Sequence, residues 1–156
     1  MTVQPSKGGA LTIDAGRLWA GGLATAIVAA LVGLAGILIA RGVFEVPILA
    51  PKGRGVWGDA DTTVYTLCCA AAAGLATAIL HLLLVSAPRP LSFFGWIISL
   101  ATVVAAVAPF ATGGSLESKA ATGLINLAVG VATGILLSGA GRSAITRPPT
   151  TTHQAF

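Results

Sequence analysis

The sequence predicts an all-α fold: an antiparallel four-helix bundle of an integral membrane protein, built from four transmembrane helices. Three observations predict it. First, 55% of the 156 residues are hydrophobic and 9% charged, whereas a soluble domain is about a quarter charged. Second, four stretches of about 19 to 24 residues carry at most one formal charge each, and roughly 20 apolar residues cross a hydrocarbon core as a helix. Third, each stretch is bounded by capping residues, prolines or glycines. The spans fall at about 18–40, 62–85, 92–110 and 119–137 within a membrane domain of 18–138. Little chain is left over, so there is no room for a separate soluble catalytic domain.

The net charge is +4 and the pI about 9.7. The basic residues stand singly at span edges, as membrane anchors do. No Lys/Arg cluster interleaved with aromatics exists, which sets nucleic acid aside as a partner. Cys68 and Cys69 are adjacent inside an apolar span. Neighbours rarely meet disulfide geometry, and the pair is not a C-x-x-C redox motif. They read as small packing residues with free thiols.

Residues 1–17 read as a disordered cytoplasmic tail, with Asp14 as the helix N-cap. The run from Leu18 to Ala40 is too long for the apolar core of a signal peptide and right for a span. Gly22, Ala26, Ala29, Gly33, Gly36 and Ala40 recur in it at steps of three and four. Such a seam of small residues lets helix backbones approach closely in lipid. The connection at 41–60 is long for a compact domain. It reads as a solvated loop, with Phe44 and Val46 to Leu49 dipping into the headgroup layer and Trp57 as an interfacial anchor; a binding surface is the alternative.

Asp61-Thr62-Thr63 caps the second span, whose seam reads Ala70, Gly74, Thr77, His81. A histidine within a span is a site hypothesis. Its candidate roles are proton relay, metal ligand, haem ligand and interhelical hydrogen bond. The other histidine, His153, stands in the tail and no His/Asp/Glu cluster is evident, which favours the hydrogen bond; no metal or cofactor is expected. Pro88-Arg89-Pro90 forces a tight turn, making spans 2 and 3 antiparallel neighbours. Phe93, Phe94 and Trp96 open span 3 as an aromatic belt, and its seam reads Ser92, Gly95, Ser99, Thr102, Ala106, Pro109. Ser115 caps span 4, with Glu117 at the positive end of the helix dipole. Gly123, Asn126, Gly130 and Thr133 make its seam, and Gly130/Gly134 form a G-x-x-x-G pair. Asn126 needs a partner or a wet cavity. Residues 139–156 read as a second disordered cytoplasmic tail, Pro- and Thr-rich.

An even number of spans puts both termini on one side. That side holds Lys7, Arg17, Arg89, Arg142 and Arg147, five of the nine basic residues, a vote for cytoplasmic termini in a plasma-membrane protein.

Trp96-Ile97-Ile98-Ser99-Leu100 through Pro109, and Leu124-Ile125-Asn126-Leu127-Ala128-Val129-Gly130, carry a resemblance. The chain resembles an uncharacterised family, a domain of unknown function, of small four-span integral membrane proteins from high-GC Gram-positive bacteria. The resemblance covers about Leu18 to Leu137. It implies a fold and a location and no activity. In that family a His is common near the position of Asn126, which makes Asn126 a departure.

For function, the leading expectation is a non-catalytic bundle, an accessory or interaction subunit in the lipid bilayer, bound to a larger membrane protein or to its own copies. Gly22, Gly33, Gly74, Gly130 and Gly134 are its expected packing positions, and Gly130/Gly134 an expected spare docking face. The alternative is a small transporter or channel with a polar path lined by His81, Asn126, Ser99, Thr102 and Thr77. No acidic residue lies within a span, where a proton-coupled carrier would ordinarily have one. An enzyme is not expected, because paired redox cysteines, a Ser/His/Asp set and a nucleotide loop are all missing.

Overall fold

The computed structural model describes residues 12–43, 45, 47–52, 56–59 and 61–146. Four long helices dominate: α1 (Ala15–Gly42), α2 (Thr62–Ser86), α3 (Pro90–Val107), prolonged by a 3-10 turn at Ala108–Ala111, and α4 (Leu116–Ala144). All four are long and apolar enough to cross a membrane. At 28 and 29 residues, α1 and α4 run to about 42 Å, beyond a hydrocarbon core of about 30 Å.

The local signals for helix starts hold. Asp14 accepts from Arg17 N–H at 3.0 Å, Asp61 from Thr63 and Val64 N–H at 2.8 and 3.2 Å, and Ser115 from Ser118 N–H at 3.2 Å. Each cap satisfies amides that a helix start leaves without intrahelical partners. Pro90 opens α3 at a position where its missing N–H costs nothing. Gly114, just before α4, has a φ of 132° and Leu49 packed where a side chain would stand, so only glycine suits that corner.

Helices α1 and α4 extend past the expected span edges, and the ordered chain continues beyond them. Strand β1 (Thr12–Ile13) pairs antiparallel with β4 (Ile145–Thr146), and Asp14 N–H donates to Ala144 O at 3.0 Å. Residues 12–14 and 144–146 therefore form a clasp joining α1 to α4, and 15–17 and 139–144 are helical, where tails were expected. The physical reason is proximity: α1 and α4 are antiparallel neighbours, so the chain entering one meets the chain leaving the other. The clasp also puts both ends of the described chain at one end of the bundle. The outer parts of both expected tails lie outside the described residues.

The 41–60 connection also differs from expectation. It forms an antiparallel hairpin of β2 (Leu49–Lys52) and β3 (Val56–Asp59). Just before it, Ile48 is fully buried among Ile37, Ala40, Tyr65 and Ile125. Leu49 N–H donates to Thr122 Oγ1 at 3.0 Å, a buried bond. The apolar Ile48-Leu49 pair closes the end of the helical core instead of dipping into headgroups, because a backbone amide entering that core finds an acceptor on α4. The Phe44 and Trp57 side chains lie outside the described residues.

Around the bundle, α1 packs closely on α2 and α4, and α3 on α4; α2 and α3, though joined by a short turn, pack less. The core has two layers. One, around Ile37, Ile48, Tyr65, Ile125 and Val129, sits toward the hairpin. The other, around Leu18, Leu80, Leu84, Phe94 and Leu137, sits toward the clasp.

Candidate functional site

Small residues decide which helices meet closely. A Cβ at Gly22 would overlap Thr77, one at Gly33 would come within 2.8 Å of Cys69 Sγ, and one at Gly36 within 2.7 Å of Ile125. On α4, a Cβ at Gly130 would overlap Thr102, and one at Gly123 would approach Ala106 O to 2.6 Å. The α1 and α4 seams thus act as holes, with knobs from α2 and α3 and, at Gly36, from Ile125 of α4, an arrangement that gains dispersion contacts.

This division corrects two expected seams. The buried face of α2 runs through Tyr65, Cys69, Ala73, Thr77, Leu80 and Leu84, and a side chain at Gly74 would meet nothing within 4 Å. On α3, Phe94 and Thr102 are the buried residues, Ser92 and Ser99 are exposed, and Gly95 faces open space. Both helices bury larger residues because the glycines facing them are already small. The Gly130/Gly134 face is not spare: Thr102 sits on Gly130, and Ile98 is at contact distance from Gly134.

Between α2 and α3 lies a cleft of about 330 Å³. Ala72, Ala73 and Ala76 line it from α2, Ala101 and Ala105 from α3, and Val129 from α4. Phe94, buried with Ala76, Leu80 and Leu84, lines the end next to the Pro88–Pro90 turn. At the other end stands a polar bracket. Tyr65 O–H donates to Asn126 Oδ1, and Asn126 Nδ2 donates to Ala105 O at 2.7 Å. Asn126 on α4 thereby ties α2 to α3 across the cleft. Tyr65 was not among the expected site residues. The signal for it was present: an asparagine within an apolar helix needs a partner, and Tyr65 is the one tyrosine of the chain.

The other expected residues go elsewhere. Thr77 is buried at the α1–α2 interface, its hydroxyl donating to Ala73 O at 2.8 Å. Thr102 donates to Ile98 O at 2.7 Å. His81 accepts at Nδ1 from Trp19 Nε1–H at 3.2 Å, with the rings 6.2 Å apart and tilted 47°. Of the roles open to His81, the interhelical hydrogen bond is the one this geometry supplies. Ser99 lines a separate groove on the outer side of α3 and α4, shared with Thr102, Ser138 and Arg142. Thr102 and Asn126 therefore border the cleft, Ser99 opens away from it, and Thr77 and His81 belong to the α1–α2 interface. Among the described residues no three His, Cys, Asp or Glu side chains come together as a metal site would need.

Residues 13–143 match a family of unknown function, DUF6069. No curated protein and no solved structure matches the chain.

Proposed function

The chain belongs to the DUF6069 family, and from that premise we propose that it is a non-catalytic membrane bundle, an accessory or interaction subunit of the plasma membrane with both termini cytoplasmic. The observation that carries this reading is the α2–α3 cleft. Its lining is almost wholly apolar and includes five alanines, Ala72, Ala73, Ala76, Ala101 and Ala105, beside larger residues such as Leu75, Ile79 and Ile97; alanines let a further helix backbone come close. The helix that borders it, α3, buries only Phe94 and Thr102 of its own residues. A transmembrane helix of a partner, or of a second copy, would complete the packing that α1 already gives to the other side of α2.

The transporter reading draws less support. Thr77 and Thr102 donate to their own helices, His81 pairs with Trp19, and Asn126 is held at both ends of its amide. A conducting path would need these groups to face one continuous wet space.

The test is a mild-detergent pull-down of tagged full-length chain from its native membrane, beside a variant with the cleft filled, Ala72→Leu/Ala101→Leu. A stoichiometric membrane partner, or a homo-oligomer, should appear with the parent chain and vanish with the filled one, both chains eluting as sharp peaks. An assembly unchanged by the filling would sink the cleft as the docking face. Solute flux through the purified parent chain in liposomes would sink the non-transporting reading.

A further inference from the structure

Hydroxyls inside an apolar helix normally turn back on the carbonyl four residues earlier. Thr25, Thr66, Thr77, Thr102, Thr122 and Thr133 all do so. In the helix interiors Ser99 and Ser138 do not, and they make no hydrogen bond within the described residues. Both line the same groove, about 540 Å³, on the outer side of α3 and α4. Arg142 lines it too, in the last turn of α4, exposed and making no ion pair or hydrogen bond among the described residues.

The order of these groups along the groove has chemical meaning. Leu91 packs at Gly141, Ile98 at Gly134 and Thr102 at Gly130, which sets the antiparallel register of α3 and α4. Arg142 therefore stands at the rim by the clasp. Ser138 is one turn deeper, about 6 Å along the axis. Ser99 follows near the level of Gly134, and beyond it the lining is Val103, Val131 and Leu127 with Gly130 and Thr102, whose hydroxyl is turned back on Ile98 O. Charge, then hydroxyls, then hydrocarbon is the outline of a phospholipid laid along the helices.

We propose that this groove holds one anionic phospholipid. Its phosphate pairs with the Arg142 guanidinium, its ester region accepts from the Ser138 and Ser99 hydroxyls, and an acyl chain lies over Val103 and Val131. The occupant is a lipid and not a free phosphate, because beyond Ser99 the groove is mainly apolar and the one hydroxyl there, that of Thr102, already donates to Ile98 O. Charge complementarity selects an anionic headgroup: basic pockets between membrane helices take such headgroups, and a cation near the surface contributes on the order of fivefold in affinity.

The experiment is native mass spectrometry of the detergent-solubilised full chain with added phosphatidylglycerol or phosphatidylcholine. One phosphatidylglycerol should bind in preference to phosphatidylcholine. Arg142→Gln should weaken it on the order of fivefold, while Arg17→Gln, a cation at the same end on α1, should leave it unchanged. Gly95→Leu should block the lipid without disturbing the fold, because a side chain there meets nothing within 4 Å; unchanged far-ultraviolet dichroism checks this. Equal binding of the two lipids, equal loss with Arg17→Gln, undiminished binding by Gly95→Leu, or displacement by glycerol phosphate without acyl chains would each overturn the proposal.

Discussion

The two sides of α2 make the instructive comparison. Toward α1, every approach is close: Gly22 takes Thr77 and Gly33 takes Cys69. Toward α3, Ala72 and Ala76 face Ala101 and Ala105 across a cleft of about 330 Å³. Small residues line both sides, so small residues alone do not make a packed interface. The difference lies in pairing. A glycine opposite a Thr or Cys makes a hole and its knob, while alanine opposite alanine leaves space unless the backbones close up. Phe94 is buried between the two helices at one end of the cleft, and the Tyr65–Asn126–Ala105 bracket joins them at the other.

The same chemical change should therefore have opposite signs on the two sides, and that is the strongest way to break the comparison. Gly22→Leu drives a large side chain into Thr77. Overpacking costs about 1–3 kcal/mol, and here the obstacle is a buried threonine beside helix backbone, so the upper end of that range is expected. Gly130→Leu, meeting Thr102, should behave alike on the α3–α4 side. Heating each variant in detergent and measuring the fraction that stays monodisperse reads this directly. In contrast, Ala101→Leu enters open space and should stabilise the isolated chain by about 0.5–1 kcal/mol, as cavity filling commonly does. If Ala101→Leu destabilises as much as Gly22→Leu, the cleft is not open and the comparison fails.

The bracket gives the next effect in size. Tyr65→Phe removes the hydroxyl that serves Asn126 Oδ1, and Asn126→Leu removes both hydrogen bonds. Interhelical hydrogen bonds in membrane proteins contribute about 0.6 kcal/mol, with a maximum near 1.7. Each variant should cost about that much and keep its fold, and the double variant should cost less than the sum, because the two groups share one bond. A double-mutant cycle on thermal stability measures the coupling. Additive losses would mean that Tyr65 and Asn126 act separately and that the bracket does not hold α2 to α3.

What could be read from the sequence divides along the same line. Asp14, Asp61 and Ser115 cap where expected because a cap involves residues within three positions of each other. The four long helices were legible because each is an uninterrupted apolar run of spanning length closed by caps, prolines or glycines. The α1 seam was legible because its small residues lie against neighbours on α2 or α4, Gly22 and Gly33 buried and Gly36 against Ile125. The α2 and α3 seams were legible in part: Thr77, Thr102 and Pro109 are buried, while Gly74 and Gly95 are not in contact, because a face of small residues records close approach only if a partner distant in sequence supplies the knob. Gly74 and Gly95 repeat with the right period and face open space. Tyr65 and Ile48 were missed for the same reason: their partners, Asn126 and the core around Ile125, lie on another helix.

Gly74 and Gly95 supply the smallest and cleanest prediction. If period alone made an interface, Gly74→Ala would destabilise as a seam position does. The structure places no atom within 4 Å of a Cβ at either glycine, so the substitution removes only glycine's backbone entropy within a helix. Alanine is better there by up to about 1 kcal/mol. Gly74→Ala and Gly95→Ala should each leave stability unchanged or raise it slightly, with the same elution and helicity as the parent. The paired control is Gly33→Ala, where the added methyl would meet Cys69 Sγ at 2.8 Å, so that the buried Cys69 side chain or the helix carrying it must shift. A loss at Gly33 with none at Gly74 separates spacing from packing within one pair of helices. Equal losses at both would return Gly74 to the interface and shift the α1–α2 contact by a turn.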